Sequence, residues 1–241
     1  MPALCIGTSG WVYKHWIGVF YPEKTQGEKL LPFYAERFPT VEVNFSYYRL
    51  PGRSVFEAWR KQTPADFLFA VKGSRYLTHM KKLKDPEQPL ERLMHSAGGL
   101  QEKLGPILFQ FPRWWSVNVE RLRQFFEALG AYPGQRYAFE FRHRSWLAPA
   151  VYDLLQQHNA ALCLPVGWDI PLEVRQTASW TYIRFHGGAG GAIGFSDEEL
   201  TTWAGRIRSF LDQGLGIFAY FNNDPEGHAV RDAERLRELL T

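Results

Sequence analysis

The chain has few cysteines and no long hydrophobic run. Cys5 and Cys163 are the only cysteines among 241 residues, and each lies in an apolar stretch, which is typical of small buried side chains and not of a disulfide framework. No segment approaches the roughly eighteen apolar residues of a membrane span, and the chain does not open on a basic region followed by an apolar run. We therefore expect a cytoplasmic protein without a membrane partner.

The chain also has no strong excess of one charge and no linker. Its 28 Lys and Arg residues against 25 Asp and Glu residues give a net charge of +3, which is less than a dedicated nucleic-acid-binding domain usually carries. No low-complexity tract or change of composition divides the sequence. We expect one domain over residues 1–241, and its oligomeric state stays open.

Metal-binding spacings are missing as well. The chain has no closely spaced His pair, no Cys-x-x-Cys and no Asp-rich loop. Glu42, Glu140 and His186 supply suitable ligand types, so a metal stays possible, but the sequence requires no metal and indicates no particular cofactor.

Eight apolar runs of strand length recur along the chain, and most are followed by a segment with helical periodicity. The predicted strands are Leu4–Gly7, Val41–Phe45, Phe67–Lys72, Ile107–Phe111, Tyr137–Arg142, Ala160–Pro165, Thr181–His186 and Ile217–Asn222. The predicted helices are Lys29–Phe38, Ser54–Gln62, Pro89–Leu104, Val119–Leu129, Pro149–His158, Asp197–Gln213 and Glu226–Leu240. The sixth crossover, 166–179, has little periodicity, so we expect a loop or a short helix there. This order predicts an α/β fold, a TIM (β/α)8 barrel, with a doubly wound open sheet as the alternative.

The predicted strands alternate between apolar and polar residues. In the segment Tyr137–Trp146, aromatic side chains face one way while Glu140 and Arg142 face the other. Because one face of a barrel strand meets the helices, the polar set should face the interior, near the C-terminal ends where barrels of this type place their active sites. The residues predicted to share this cavity are Glu42, Asn44, Lys72, Gln110, Glu140, Arg142, Arg184 and His186.

Two carboxylates in one cavity can divide the roles of acid and base, so we expect Glu140 and Glu42 to be catalytic. His186 is a candidate proton carrier near neutral pH, whereas a loop-fixing role is favoured for His143. The residues expected to bind substrate are Arg142, Arg184, Lys72, Asn44, Gln110, Asn222, Trp11 and Trp146. The alternative is an ion-pair network that only fills the barrel.

The loops that follow the strands are rich in cations and tryptophan. The cations are Lys14, Arg49, Arg75, Lys81, Lys82, Lys84, Arg113 and Arg144, and the tryptophans are Trp11, Trp16, Trp114, Trp115, Trp146 and Trp168. The acids counted at the mouth are Glu42, Asp85, Glu140 and Asp169. A small excess of positive charge in a narrow cleft attracts anions, so the expected partner is a small anionic ligand. The tryptophans could equally pack the loops onto the barrel.

The segment 187–195 is rich in glycine and precedes Ser196-Asp-Glu-Glu199. Ser196 and Glu199 predict a capping box, and its negative charge would repel a phosphate at this helix start. A flexible lid is therefore favoured for the glycine-rich segment, and a loop shaped only by packing is the alternative.

Several segments along the chain resemble the YecE-like family, also called domain of unknown function 72. They are Ile6-Gly-Thr-Ser-Gly-Trp-Val-Tyr13, Glu42-Val-Asn44, Tyr48-Arg-Leu-Pro51, Phe69-Ala-Val-Lys72, Leu104-Gly-Pro-Ile-Leu-Phe-Gln-Phe-Pro112, Phe139-Glu-Phe-Arg-His143, Ser145-Trp146, Tyr182-Ile-Arg-Phe-His-Gly187 and Tyr220-Phe-Asn-Asn223. The resemblance implies a TIM barrel and brings no settled activity. The chain departs from the family pattern after His186, where tyrosines are expected and glycines stand.

These patterns predict an enzyme that performs acid–base chemistry, of a hydrolase, lyase or isomerase type, on a small anionic or sugar-like substrate at the barrel mouth. A nucleic-acid-binding or processing protein that uses the basic, aromatic loops is the alternative. A ligand-binding scaffold without turnover is a third possibility. The substrate itself does not follow from the sequence.

Overall fold

A computed structural model describes residues 4–241 and shows a closed barrel of eight parallel strands in sequential order. The strands are β1 Leu4–Ser9, β2 Thr40–Val43, β3 Leu68–Lys72, β4 Leu104–Phe111, β5 Tyr137–Phe141, β6 Ala161–Val166, β7 Trp180–Phe185 and β8 Gly216–Phe221. All eight predicted strands are confirmed, although their ends shift by a few residues. Because β1 pairs with β8 from Leu4↔Ile217 to Thr8↔Phe221, the sheet has no edges and the open-sheet alternative is wrong.

Residues 4–241 contain seven α-helices, which lie between or after the strands. They are α1 Leu30–Ala35, α2 Arg53–Lys61, α3 Glu87–Ala97, α4 Val119–Leu129, α5 Pro149–Gln157, α6 Asp197–Asp212 and α7 His228–Leu240. The crossover from β6 to β7 has no helix and runs as a loop, as its lack of periodicity predicted. Thr177 fixes this loop to the barrel: its hydroxyl donates to Ala160 O at 2.7 Å and accepts from Leu162 N at 2.8 Å.

The two faces of the strands separate as the alternation predicted. Phe139 and Phe141 of β5 pack in the large core between strands and helices. Ala138, on the opposite face, belongs to a second cluster inside the barrel. The members of this interior cluster are Cys5, Ala70, Leu108, Ala138, Ala161, Cys163, Trp180, Tyr182, Phe218 and Tyr220. The polar residues two positions further along these strands therefore also point into the barrel, and they lie next to this apolar interior cluster.

Local sequence signals account for several helix starts. Ser196 accepts a hydrogen bond from Glu199 N while the Glu199 carboxylate accepts from Ser196 N, so the predicted capping box is present at α6. Asn118 accepts from Arg121 N at 2.8 Å and caps α4. Pro149 begins α5 with its fixed φ angle and without an unpaired N–H.

Candidate functional site

A layer of polar side chains closes the barrel interior near the C-terminal ends of the strands. We call it the charged layer, and its members are Glu42, Lys72, Gln110, Glu140, Arg142, Arg184 and His186. All but Arg142 are almost completely buried. Charges at this depth must be paired to be tolerated, so the contacts within the layer determine what each group can do.

Arg184 joins two carboxylates across the barrel. Its Nη1 donates to Glu140 Oε2 at 2.6 Å, and its Nη2 donates to Glu42 Oε1 at 2.8 Å. Glu42 also accepts hydrogen bonds from the Ser9 hydroxyl and, at 2.7 Å, from the Tyr182 hydroxyl. Glu42 is thereby surrounded by donors, which suits an anion that holds Arg184 in place.

Glu140 is fixed in its ionised form. Besides Arg184, its carboxylate accepts from Arg142 Nε at 2.7 Å and from Gln110 Nε2 at 2.7 Å. Burial opposes ionisation, but the Arg184 and Arg142 guanidiniums outweigh it and hold the pKa of Glu140 well below its usual range. A carboxylate held in this way cannot supply a proton at neutral pH. The geometry therefore favours an orienting role over the acid–base role expected for Glu140 with Glu42.

His186 is a neutral imidazole. Burial first, and the positive charge of Arg184 second, lower its pKa to about 3. Asn222 Nδ2 lies 3.3 Å from Nδ1, an arrangement in which Nδ1 accepts and the proton sits on Nε2. Nε2 is buried 3.9 Å from Glu140 Oε2 and has no hydrogen-bond partner within residues 4–241. The lowered pKa argues against His186 as a proton carrier near neutral pH and makes Nε2–H a donor, and its catalytic role stays a prediction.

Lys72 differs from the other cations of the layer because no carboxylate of residues 4–241 lies within salt-bridge distance of it. Its Nζ lies 4.1 Å from the ring centroid of Tyr47. Burial and the nearby Arg184 lower the pKa of Lys72 to about 7, against the opposing effect of Glu140 and Glu42. A large part of this amine is therefore uncharged at neutral pH.

Asn44 and Trp11 make no hydrogen bond to the charged layer within residues 4–241, and their place in one site with it stays a prediction. They line a neighbouring pocket of about 440 Å³ whose other walls include Tyr13, Tyr48 and Trp59. The Oδ1 atom of Asn44 is buried there without a hydrogen-bond partner in the described chain. The pocket is therefore lined mainly by aromatic side chains, and Asn44 Oδ1 is available there as a hydrogen-bond acceptor.

Trp146 is enclosed by neighbouring aromatic side chains. It is completely buried, it stacks on Phe141 at 5.1 Å, and its Nε1 donates to Trp115 O at 2.7 Å. The expectation that Trp146 binds substrate is therefore not supported, because the packing alternative accounts for its whole environment. Of the six loop tryptophans, only Trp114 and Trp168 are more than half exposed.

Four side chains of the site were missed by the sequence reasoning: Ser9, Tyr182, Tyr47 and His79. Ser9 and Tyr182 bond to Glu42, and the alternation of Tyr182 with Arg184 could have placed it on the inner face. His79 lies in the π-helical turn 76–80, and its Nε2 is 2.9 Å from the Tyr47 hydroxyl. Tyr47 and His79 belong to two different loops, so no local spacing connects them.

The glycine-rich segment expected to be a lid is attached at several points. Ala189 N donates to Glu199 Oε1 at 2.7 Å, Asn223 Nδ2 donates to Ile193 O at 2.9 Å, and Phe195 N donates to Asp232 Oδ2 at 3.1 Å. These bonds connect the segment to the starts of α6 and α7. Its movement as a lid stays a prediction.

Gly167 fixes the loop that places Trp168 over His186, with ring centroids 5.1 Å apart. Gly167 has a φ of +90°, and a Cβ there would lie 1.9 Å from Gly187 O. We expect Gly167→Ala to lower the free energy of unfolding by about 2–3 kcal/mol, because a left-handed penalty of about 1–2 kcal/mol is joined by a backbone clash. Denaturant titration followed by circular dichroism measures the loss.

Gly214→Ala is the matched control, since Gly214 has a φ of +80° and open space around its Cβ position. It should show the left-handed penalty alone. Equal losses in the two variants would mean that Gly187 can move away and that the close approach does not position Trp168.

Within residues 4–241, no three His, Cys, Asp or Glu side chains are placed to share a metal ion. No helix in the described part of the chain is long and apolar enough to cross a membrane. Both cysteines are buried free thiols, and burial raises the pKa of Cys5 to about 11.

Comparisons with known proteins agree with this architecture. The UPF0759 protein YunF of Bacillus subtilis is 29% identical over 279 aligned positions, which cover 98% of this chain and 94% of YunF. The UPF0759 protein YecE of Escherichia coli is 27% identical over 144 positions, covering 59% of this chain and 50% of YecE.

Solved structures show the same fold. A DUF72 family protein of Thermotoga maritima superposes with a TM-score of 0.85 at 29% identity and covers 99% of both chains. A DUF72 protein of Enterococcus faecalis, at 19% identity, superposes with a TM-score of 0.82 over 98% of this chain and 95% of its own. The family model described as "Protein of unknown function DUF72" matches residues 5–241. The chain therefore belongs to the DUF72 family, whose YecE-like members include YecE and YunF.

Proposed function

We propose that this protein is an enzyme that binds a small anionic substrate at the barrel mouth and performs proton-transfer chemistry on it. The observation that carries the proposal is the position of Arg142. Its Nε is held by Glu140, its side chain is one-fifth exposed, and its two Nη groups have no hydrogen-bond partner in residues 4–241. A guanidinium whose Nε is fixed by a carboxylate and whose two Nη groups are free to donate is suited to bind a carboxylate or phosphate.

The rest of the charged layer supports this assignment. Both Nη atoms of Arg184 donate to carboxylates and its Nε is buried, so Arg184 contributes positive potential and not an open binding edge. His186 Nε2–H offers a neutral donor in the same layer. Lys72 is the group suited to accept a proton, since it is buried in the same layer and burial lowers its pKa to about 7. Glu42 and Glu140 then hold the two arginines.

Calorimetric titration with phosphate, glucose 6-phosphate, AMP and citrate tests the anion site. We expect Arg142→Lys to weaken the binding of at least one of these anions by about 1–3 kcal/mol, because lysine cannot reproduce the paired donors. Arg113→Lys is the matched control, since Arg113 is an exposed mouth-loop arginine without an ion pair in the described chain. If wild type binds no anion more tightly than the Arg142→Lys variant, the anion site does not exist.

A nucleic-acid-binding surface is the second candidate. Trp114 is 60% exposed and Lys82 Nζ lies 4.7 Å above its ring, an arrangement that suits a stacked base beside a phosphate. Binding of a single-stranded oligonucleotide that falls steeply between 50 and 200 mM salt, roughly the range in which phosphate contacts lose affinity, would favour this candidate.

A further inference from the structure

Lys72 occupies a position that the anion site alone does not explain. It ends β3 two residues after Ala70, which belongs to the interior cluster, so its side chain enters the charged layer from below the mouth. The residue is only 5% exposed, and its Nζ lies 4.1 Å from the centroid of the Tyr47 ring. No side-chain hydrogen bond involves Nζ within the described part of the chain. Burial without an acceptor disfavours the ammonium form of this lysine and favours its free amine.

Lys103 shows what a structural buried lysine looks like in the same molecule. It is also 5% exposed, but its Nζ donates to Arg60 O and Thr63 O, each at 2.7 Å, and to Thr63 Oγ1 at 3.1 Å. Its donors are satisfied, as is usual for buried ammonium groups. Lys72 lacks such partners, so the two residues form an internal comparison.

The surroundings of Lys72 keep its amine available as a nucleophile. The guanidiniums of Arg184 and Arg142 add positive potential to the effect of burial, and both lower the pKa of Lys72. A neighbouring cation and a dry environment are the means by which lysines are activated toward carbonyl carbons. At neutral pH the free-amine fraction therefore exceeds that of an exposed lysine.

The ring beside the amine belongs to Tyr47, whose hydroxyl is hydrogen-bonded to a histidine. The Tyr47 hydroxyl is 2.9 Å from His79 Nε2, and His79 Nδ1 is 2.9 Å from Thr78 Oγ1. Burial and the charge of Lys72 lower the pKa of His79 to about 4, so this ring is neutral and can accept from the tyrosine. Tyr47 thus contacts Lys72 through its ring and a neutral histidine through its hydroxyl.

We propose that Lys72 forms an imine with a substrate that carries a carbonyl group and a carboxylate or phosphate, with Arg142 holding the anionic group. Nζ attacks the carbonyl carbon, and the new C–N bond gives a carbinolamine. Nitrogen releases two protons, and these leave with the former carbonyl oxygen as one water molecule. Tyr47 donates a proton to the leaving hydroxyl and recovers one from nitrogen afterward. This inference rests on the anion site proposed above, specifies its substrate class, and gives Lys72 the role of nucleophile in place of that of proton acceptor.

Borohydride trapping tests the imine. The protein is incubated at pH 7 with glyoxylate, pyruvate or glyceraldehyde 3-phosphate, with acetone as the uncharged comparison, and hydride from borohydride reduces any C=N bond to a stable amine. Peptide mass mapping should find the adduct on Lys72 at more than about ten times the level on Lys103, given the difference in amine activation. The adduct at this position should disappear in Lys72→Met and fall in Arg142→Lys.

Two results overturn the proposal: no adduct with any of the three anionic carbonyls, or labelling of Lys72 no stronger than that of Lys103. Equal trapping of acetone and pyruvate overturns the substrate class. Calorimetry with citrate and phosphate distinguishes failure of the imine proposal from failure of the proposed anion site. Anion binding that depends on Arg142 without an adduct removes only the imine, whereas loss of both removes the anion site as well.

Discussion

Arg184→Met is expected to lower the free energy of unfolding by about 3–5 kcal/mol, the cost of leaving buried charges without their partner. Arg184 is 1% exposed and joins Glu42 and Glu140, both completely buried. Methionine fills similar volume but donates no hydrogen bond, so two desolvated carboxylates lose their shared cation. Denaturant unfolding at pH 7, followed by tryptophan fluorescence, measures the effect.

The deficit of Arg184→Met should shrink as the pH falls toward 4. In the wild type, the pKa of Glu140 lies well below its usual range, so its stabilising contribution is present above the unfolded pKa and is lost as pH falls through the folded value. Without Arg184 the buried carboxylate binds a proton more readily, and protonation relieves the unpaired charge.

Arg142→Met is the matched control for Arg184→Met, because Arg142 is partly exposed and leaves Glu140 with two other donors. It should cost about 1–2 kcal/mol, the range for one charge-assisted hydrogen bond. Equal losses in the two variants would show that the layer is hydrated and that Arg184 is not its central cation.

Lys72→Met is expected to stabilise the protein, whereas Arg184→Met destabilises it. It should raise the free energy of unfolding by about 3–5 kcal/mol at pH 6, the free-energy equivalent of the lowered pKa. The folded pKa is about 7, against 10.5 for an unperturbed lysine. Below pH 7 both states are protonated, and the wild type carries the full cost of a buried ammonium. Between the two values the unfolded chain binds more protons, so wild-type stability rises with pH and the advantage of the variant decreases.

Thermal unfolding of both proteins from pH 6 to pH 9.5 measures this convergence. Lys103→Met is the control and should destabilise the protein, since three oxygen atoms lose their donor. A Lys72→Met variant that is no more stable than the wild type at pH 6 would show that the ammonium is well solvated and that its pKa is ordinary.

The parts of this structure that follow from the sequence are those set by local periodicity. The alternation around Glu140 and Arg142 placed them inside the barrel, because successive side chains in a strand must point to opposite faces. Eight such runs with intervening helices predicted closure, and the β1–β8 pairing confirms it. The capping box at Ser196 was equally local, since its two partners are three residues apart.

The parts that did not follow depend on distances across the barrel. Tyr182 reaches Glu42 from a strand 140 positions away, and that bond saturates a carboxylate that the sequence treated as a free acid or base. His186 was expected to titrate near neutrality, but its pKa is a sum over Arg184, Arg142 and burial, which only the assembled layer determines. Trp146 follows a strand like a mouth residue, yet Trp115 and Phe141 enclose it.

The shared use of Glu199 ties the opening of the glycine-rich segment to the fraying of a helix. One oxygen of this carboxylate accepts from Ala189 N and the other completes the capping box of α6, so the segment and the helix start draw on the same side chain. If opening the segment pulls the carboxylate away from Ser196, loss of the cap adds about 1–2 kcal/mol to the free energy of the open form. Opening of the segment and fraying of the first turn of α6 then occur together, and relaxation-dispersion NMR of the Ala189 and Glu199 amides would report both groups changing together.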